Sequence, residues 1–236
     1  MMYGFGIGIS PVNRLFSGGG GLNPLWDGLL AYYTADSTAN DALGTYNGTL
    51  VNGATYGTGI INNGFSLDGV NDYVDLGNNL DFDGTTPFSI SCWVNASVIT
   101  GGTRLIFGKG NASRYWFYFL STGEIGFMLY NNINELRVTT VDTFTTSTWY
   151  HLTVTYDGSR LASGVNIYVD NSDKTLITNV DTLVTSISNT DIAAIGSSIG
   201  TGRYFSGMID EMGIWDRVLT PTEVTELYNS GAGLQY

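Results

Sequence analysis

The chain is poor in cysteine, in basic residues and in histidine. Cys92 is the single cysteine among 236 residues, so no disulfide can form within the chain. Stability must come from a packed core, from assembly or from a bound ion, and the compartment stays open. Lysine stands only at 109 and 174, and the formal net charge is −12 with a pI of about 4.1. Such a surface repels phosphate backbones and anionic bilayers, which argues against nucleic acid and membrane-surface partners. No apolar run is long enough to span a bilayer. With one histidine, His151, any Ser-His-Asp or Cys-His device would have to use that residue. It sits in a mid-strand pattern on the less apolar face and reads as a partly exposed strand residue. Internal repeats and a second domain are also missing.

Gly, Asn, Thr, Ser and Tyr are abundant instead, the profile of strands and turns held by aromatic and β-branched packing. Pro87–Ala96 is the clearest strand, with Phe88, Ile90, Cys92 and Val94 on one face and Ser89, Ser91 and Trp93 on the other. Cys92 reads as a small core residue there. Trp149–Tyr156 alternates in the same way. Further strands are expected at 29–34, 64–67, 73–76, 105–108, 115–120, 125–130, 136–141, 165–170, 192–195 and 205–215. About a dozen short strands with a turn every ten or so residues predict an all-β sandwich.

Helix is expected almost only at 221–229. Thr220 suits the N-cap, Pro221 the first turn and Glu223 the capping box, with Val224, Leu227 and Tyr228 as the apolar stripe and Gly231 as the stop. In the strand before it, Ile209 has one parity while Met212 and Ile214 have the other. A bulge near Asp210-Glu211 reconciles the three. Sequons at Asn47, Asn95 and Asn111 carry little information in so Asn- and Thr-rich a chain.

Several segments, taken in order, resemble one family. They are Leu29-Leu-Ala-Tyr-Tyr33, Phe65-Ser-Leu-Asp-Gly-Val-Asn-Asp-Tyr-Val74, Phe88-Ser-Ile-Ser-Cys-Trp-Val94 and Trp149-Tyr-His-Leu-Thr-Val-Thr-Tyr-Asp-Gly158. Ile167-Tyr-Val-Asp170, Ala194-Ile-Gly-Ser197 and Gly207-Met-Ile-Asp-Glu-Met-Gly-Ile-Trp215 complete the series. Together they resemble laminin-G-like jelly rolls of the concanavalin A-like lectin/glucanase group, over roughly residues 28–230. The resemblance implies a two-sheet antiparallel jelly-roll sandwich with one short C-terminal helix. That fold hosts lectins, adhesion modules, pentraxins and glycosidases, so it does not decide among them.

Glycosidases of this group resemble one another in a Glu-x-Asp-x-x-Glu strand, which this chain lacks. Asp210 and Glu211 are adjacent and read as structural, capping loop amides or holding an ion. The expectation is a protein without catalytic residues, with a divergent glycoside hydrolase as an alternative. By resemblance, a calcium site would pair Asp210 with Asp36 from an N-terminal loop. Loops at 36–41, 68–75, 81–83 and 170–173 are oxygen-rich, and none has EF-hand spacing. A sugar site needs an aromatic platform with Asn or Asp at its rim. Tyr130, Asn131, Asn132 and Asn134 form a suitable loop, with Trp116, Trp93 and Tyr204 as further platforms.

Residues 1–25 differ from the remainder, 26–236. They are apolar and glycine-spaced, and the one early charge, Arg14, follows the apolar part, which does not suit a secretory signal. Tyr3, Phe5, Ile7 and Ile9 suit an arm that packs on another subunit. The whole resembles bacteriophage virion proteins such as head fibres, decoration proteins and receptor-binding tail proteins. The expectation is a virion-located adhesion module with other virion subunits and host-surface glycans as partners, and a homo-oligomeric state. A free or cell-surface lectin is the alternative.

Overall fold

The computed structural model describes residues 24–235. The arm residues Tyr3, Phe5, Ile7 and Ile9 lie outside the described residues. In chain order the strands are β1 (Leu29–Tyr33), β2 (Thr49–Val51), β3 (Thr55–Thr58), β4 (Asn63–Asp68), β5 (Tyr73–Asp75) and β6 (Phe88–Val98). Next come β7 (Arg104–Lys109), β8 (Ser113–Phe119), β9 (Ile125–Asn131), β10 (Glu135–Thr140) and β11 (Trp149–Tyr156). The last are β12 (Val165–Val169), β13 (Ser172–Asp173), β14 (Leu176–Asp181), β15 (Ala193–Ile195) and β16 (Ser206–Trp215), followed by helix α1 (Pro221–Tyr228).

Two sheets form. Sheet one runs β13-β12-β11-β6-β16-β4-β3, with β1 also beside β16, and sheet two runs β14-β10-β9-β8-β7-β15-β5-β2. Alternation builds the layer between them. Phe88, Ile90, Cys92 and Val94 of β6 and Leu152, Val154 and Tyr156 of β11 meet Tyr115, Phe117 and Phe119 of β8 and Phe127 and Leu129 of β9 in one core. Phe82 stacks on Phe88 at 4.2 Å between centroids, and Tyr156 meets the same ring edge-on at 5.7 Å. The expected jelly-roll sandwich is the observed one.

Four strands were not anticipated from sequence: β2, β3, β13 and β14. They bury little, and a strand with no buried face writes no alternation into its sequence.

The bulge lies where the parity argument puts it. The register of β16 on β6 slips between Asp210 and Gly213, and Glu211 has φ 48°. Ile209, Met212 and Ile214 are consequently all in the core. The slip has a topological meaning. Before it, Ser206–Ile209 pair with β4; after it, Met212–Trp215 pair with β1. One strand thus serves two successive neighbours along one edge while keeping β6 along the other.

Helix α1 starts as expected. The Thr220 hydroxyl accepts from the Glu223 N–H at 3.3 Å, and the Glu223 carboxylate accepts from the Thr220 N–H at 2.8 Å. It stops earlier than the expected Gly231, at Asn229 with φ 46°, because asparagine also tolerates a left-handed cap. Val224 and Leu227 pack with Leu25, Tyr168, Trp215 and Leu219 on the outer face of sheet one. Tyr228 stacks on Trp93, 5.7 Å between centroids, and also faces His151. His151 is therefore only 2% exposed, not partly exposed as its strand position suggested.

Candidate functional site

The outer face of sheet two carries a second, smaller apolar cluster. Alternation on β8 sends Tyr115, Phe117 and Phe119 inward and Trp116 and Tyr118 outward, where they meet Leu105 and Met128. Register places these residues in rows. Gly108, Trp116, Met128 and Arg137 are successive cross-strand neighbours through β7, β8, β9 and β10. Arg114, Tyr130 and Glu135 form the next row. Two glycines let the rings lie down on the sheet. A Cβ at Gly108 would stand 3.0 Å from the Trp116 indole, and one at Gly126 would stand 2.4 Å from Tyr118.

On this floor opens a pocket of about 180 Å³, lined by Arg114, Trp116, Tyr118, Glu135, Arg137 and Arg203 among others. The Arg114 guanidinium lies 4.5 Å from the Trp116 ring centre and 4.0 Å from that of Tyr130, so two rings hold it. Arg203 approaches the Trp116 ring at 4.9 Å. Glu135 and Arg137 pair at 3.2 Å. Burial pushes the Arg114 pKa down, and the nearby Arg203 charge adds to this. Trp116 Nε1 and Arg114 Nε are buried and meet no acceptor among the described residues.

The sugar-site residues expected from sequence separate. Trp116 is in the pocket floor, and Tyr130 clamps the pocket arginine. Asn131 braces the hairpin turn, its side-chain oxygen accepting from the Ile133 and Asn134 N–H groups at 3.2 and 2.7 Å and its amide donating to Thr185. Asn132 is exposed at φ 70°, and the Asn134 carbonyl accepts from the Asn131 N–H at 3.1 Å. The ring of Tyr204 faces Tyr73, 6.5 Å between centroids, and its carbonyl accepts from Arg104 at 3.2 Å. Trp93 is no platform: it is 3% exposed beneath Tyr228.

The acidic cluster lies in the other sheet. Asp210 accepts from the Ile60, Ile61 and Glu211 N–H groups at 2.9, 3.1 and 2.9 Å. Asp36 accepts from the Asn63 N–H at 3.3 Å and from the Gln235 amide at 3.0 Å. The Tyr32 hydroxyl of β1 donates to Glu211. Burial raises the pKa of Asp210 to about 7 and that of Glu211 to about 8. The pair thus sits where the neighbour of β16 changes, Asp210 holding the β3–β4 loop and Glu211 holding β1. Asp36 and Asp210 come close enough for the Asp36 charge to raise Asp210. All four of their carboxylate oxygens accept from N–H donors. Among the described residues no group of three or more His, Cys, Asp or Glu converges as a metal cage.

A family model described as the concanavalin A-like lectin/glucanases superfamily, of laminin-G type, matches residues 68–225. The chain belongs to that superfamily. Within it, domain 4 of AbnA, a GH43 extracellular arabinanase from Geobacillus stearothermophilus, superposes with TM-score 0.66 at 23% identity over 84% of this chain and 97% of that one. The binding domain of Paraclostridial Mosquitocidal Protein 1 gives TM-score 0.67 at 16% identity, over 86% of this chain and 52% of that one. Trypanosoma rangeli sialidase gives 0.63 at 14% identity, over 88% of this chain and 34% of that one. At these identities the likeness carries the fold, and the chain spans only about half of the second and a third of the third. No curated protein matches as a relative. For this laminin-G-type sandwich, sequence reasoning missed Arg114, Arg137 and Arg203. The available signal was the parity of Arg114-x-Trp116-x-Tyr118, which puts a cation on the same face as two aromatics.

Proposed function

We propose that this chain is a non-enzymatic saccharide-binding module displayed on a larger assembly, and that the pocket on the outer face of sheet two is its binding site. The observation that carries this is one small concavity whose apolar floor, Trp116, Tyr118 and Met128, is ringed by the polar groups of Arg114, Glu135, Arg137 and Arg203, which suit sugar hydroxyls. Domain 4 of AbnA, a sandwich of the same fold, was solved in complex with arabinotriose, which supports a saccharide ligand. The arrangement of carboxylates supports the non-enzymatic reading. Most glycoside hydrolases place two carboxylates across the scissile bond. Among the described pocket residues Glu135 is the one carboxylate, and it is paired with Arg137. Asp210 and Glu211 are buried in the opposite sheet.

A glycan array probed with the full chain and with Trp116→Ala tests this. Binding that Trp116→Ala abolishes is expected, and binding that ignores the substitution overturns the site. Repeating the array with EDTA tests the calcium expectation. The assembly we propose is a virion surface, reached through the apolar glycine-spaced residues 1–25. Deleting 1–25 should give a soluble sandwich that no longer incorporates into particles; normal incorporation would refute the arm.

A further inference from the structure

We infer that the saccharide taken by this pocket carries an oxyanion, a carboxylate or a sulfate, on its terminal residue. The inference rests on the saccharide reading above and adds the charge of the ligand.

Charge distribution comes first. The chain has seven arginines and a net charge of −12, yet three of the seven converge on one pocket. Arg137 is neutralised by Glu135. Arg114 and Arg203 form no salt bridge among the described residues, Glu135 acting on Arg114 only from across Tyr130; their side chains donate to the carbonyls of Asn111 and Thr201. Two cations held over one indole repel each other, and an anion between them relieves that repulsion.

Hydrogen-bonding capacity points the same way. The buried pocket donors left over are Trp116 Nε1, Arg114 Nε and Arg137 Nε, and the guanidinium edges add more. Against these three donors stands one left-over buried acceptor at the pocket, Glu135 Oε1, which lies 3.2 Å from Arg137 Nε. Such a site wants a ligand rich in acceptors and poor in donors. A neutral sugar ring supplies both in similar number, whereas a carboxylate or sulfate supplies acceptors alone. The arginine fork matches these groups bidentately, and the Trp116 and Tyr130 rings hold Arg114 in place beforehand, so less side-chain entropy is lost on binding.

Size and surroundings limit the ligand. A volume of about 180 Å³ is small beside the ~300–1,000 Å³ of drug-sized sites, which suits one terminal residue with the rest of the glycan in solvent. The acidic remainder of the surface repels long polyanions, so a short acidic terminus is favoured over a polymer of like charge.

The test is calorimetric titration of the full chain with three acidic probes and their neutral parents: 3′-sialyllactose against lactose, trigalacturonate against its methyl ester, and galactose 6-sulfate against galactose. The carboxylate and sulfate arms distinguish the two sources of charge. At least one acidic probe should bind tenfold or more tighter than its parent. Arg203→Gln should remove that preference, and Arg203→Lys, which keeps the charge and loses the fork, should restore only part of it. Arg114→Gln, with folding checked by thermal melting, provides a second variant. Equal binding of acidic and neutral probes, abolished by Trp116→Ala and indifferent to Arg203→Gln, overturns this inference and leaves the saccharide reading intact. Arginine-dependent binding of poly-glutamate, with no saccharide bound in titration or on the array, overturns both and points to an acidic protein.

Discussion

The guanidinium carbon of Arg114 lies 4.0 Å from the centre of the Tyr130 ring, directly across the β8–β9 pair. This contact positions a cation that forms no salt bridge among the described residues. Tyr130→Leu keeps apolar cover and removes the quadrupole. Since such a contact is worth about 0.5–1 kcal/mol, affinity for an acidic probe should fall roughly two- to fivefold with little change in melting temperature. Calorimetry on the two proteins checks it.

Gly126 is a second handle on the same floor. A methyl group there meets the Tyr118 ring at 2.4 Å, so the ring must lift from the sheet. Gly126→Ala should cost about 1–3 kcal/mol, a melting decrease of roughly 2–10 °C, and should weaken binding as well. Thermal denaturation and titration of the same sample separate the two effects.

The bulge acids make a pH prediction. Burial lifts Asp210 from 3.8 to about 7 and Glu211 from 4.5 to about 8 in the folded state. The folded chain then holds protons that the unfolded chain releases. The stability from these groups is full below the unfolded values and is lost as pH rises through the folded ones. His151 acts oppositely, since burial lowers it from 6.5 to about 3, but its effect on the slope fades as pH rises past 6.5. Between pH 6.5 and 8 the melting temperature should therefore fall, and Glu211→Gln should flatten the upper part of that fall. A calorimetric series at fixed ionic strength reads it directly.

Arg217 ties the first described residues to the helix. Its guanidinium donates to the Pro24 and Asp27 carbonyls at 2.8 and 2.6 Å and to both oxygens of Glu223 at 2.6 and 3.0 Å. Arg217→Lys keeps the charge and loses the fork, so a loss of about 1–2 kcal/mol is expected, with new proteolytic cleavage near residues 24–28. Limited proteolysis followed by mass spectrometry locates the cuts.

What could be read from the chain depended on whether the information was local. The β6 alternation and the parity clash of Ile209 with Met212 and Ile214 are local, and both led to the right backbone. Strand β14 was illegible because it buries almost nothing. The site was legible in part. Trp116 and Tyr130 stand out as aromatics, whereas Arg114, Arg137 and Arg203 each look like ordinary surface charge. Only cross-strand register brings Arg137 beside Met128 and Met128 beside Trp116. The Asn131–Asn134 turn does not announce in sequence which of its polar groups are taken: the Asn131 side-chain oxygen and N–H already bond within the hairpin.

The Trp215 indole donates to the Leu25 carbonyl at 2.7 Å, and Leu25 is buried with α1 on the outer face of sheet one. The pocket is on the outer face of sheet two. Residue 24 and the pocket therefore lie on opposite sides of the sandwich. Copies tethered to a common support through the preceding residues would all turn their pockets outward and alike. A shallow site with weak single-copy affinity would then act by avidity, gaining on the order of 10²–10⁴ from parallel presentation to a glycan-coated surface.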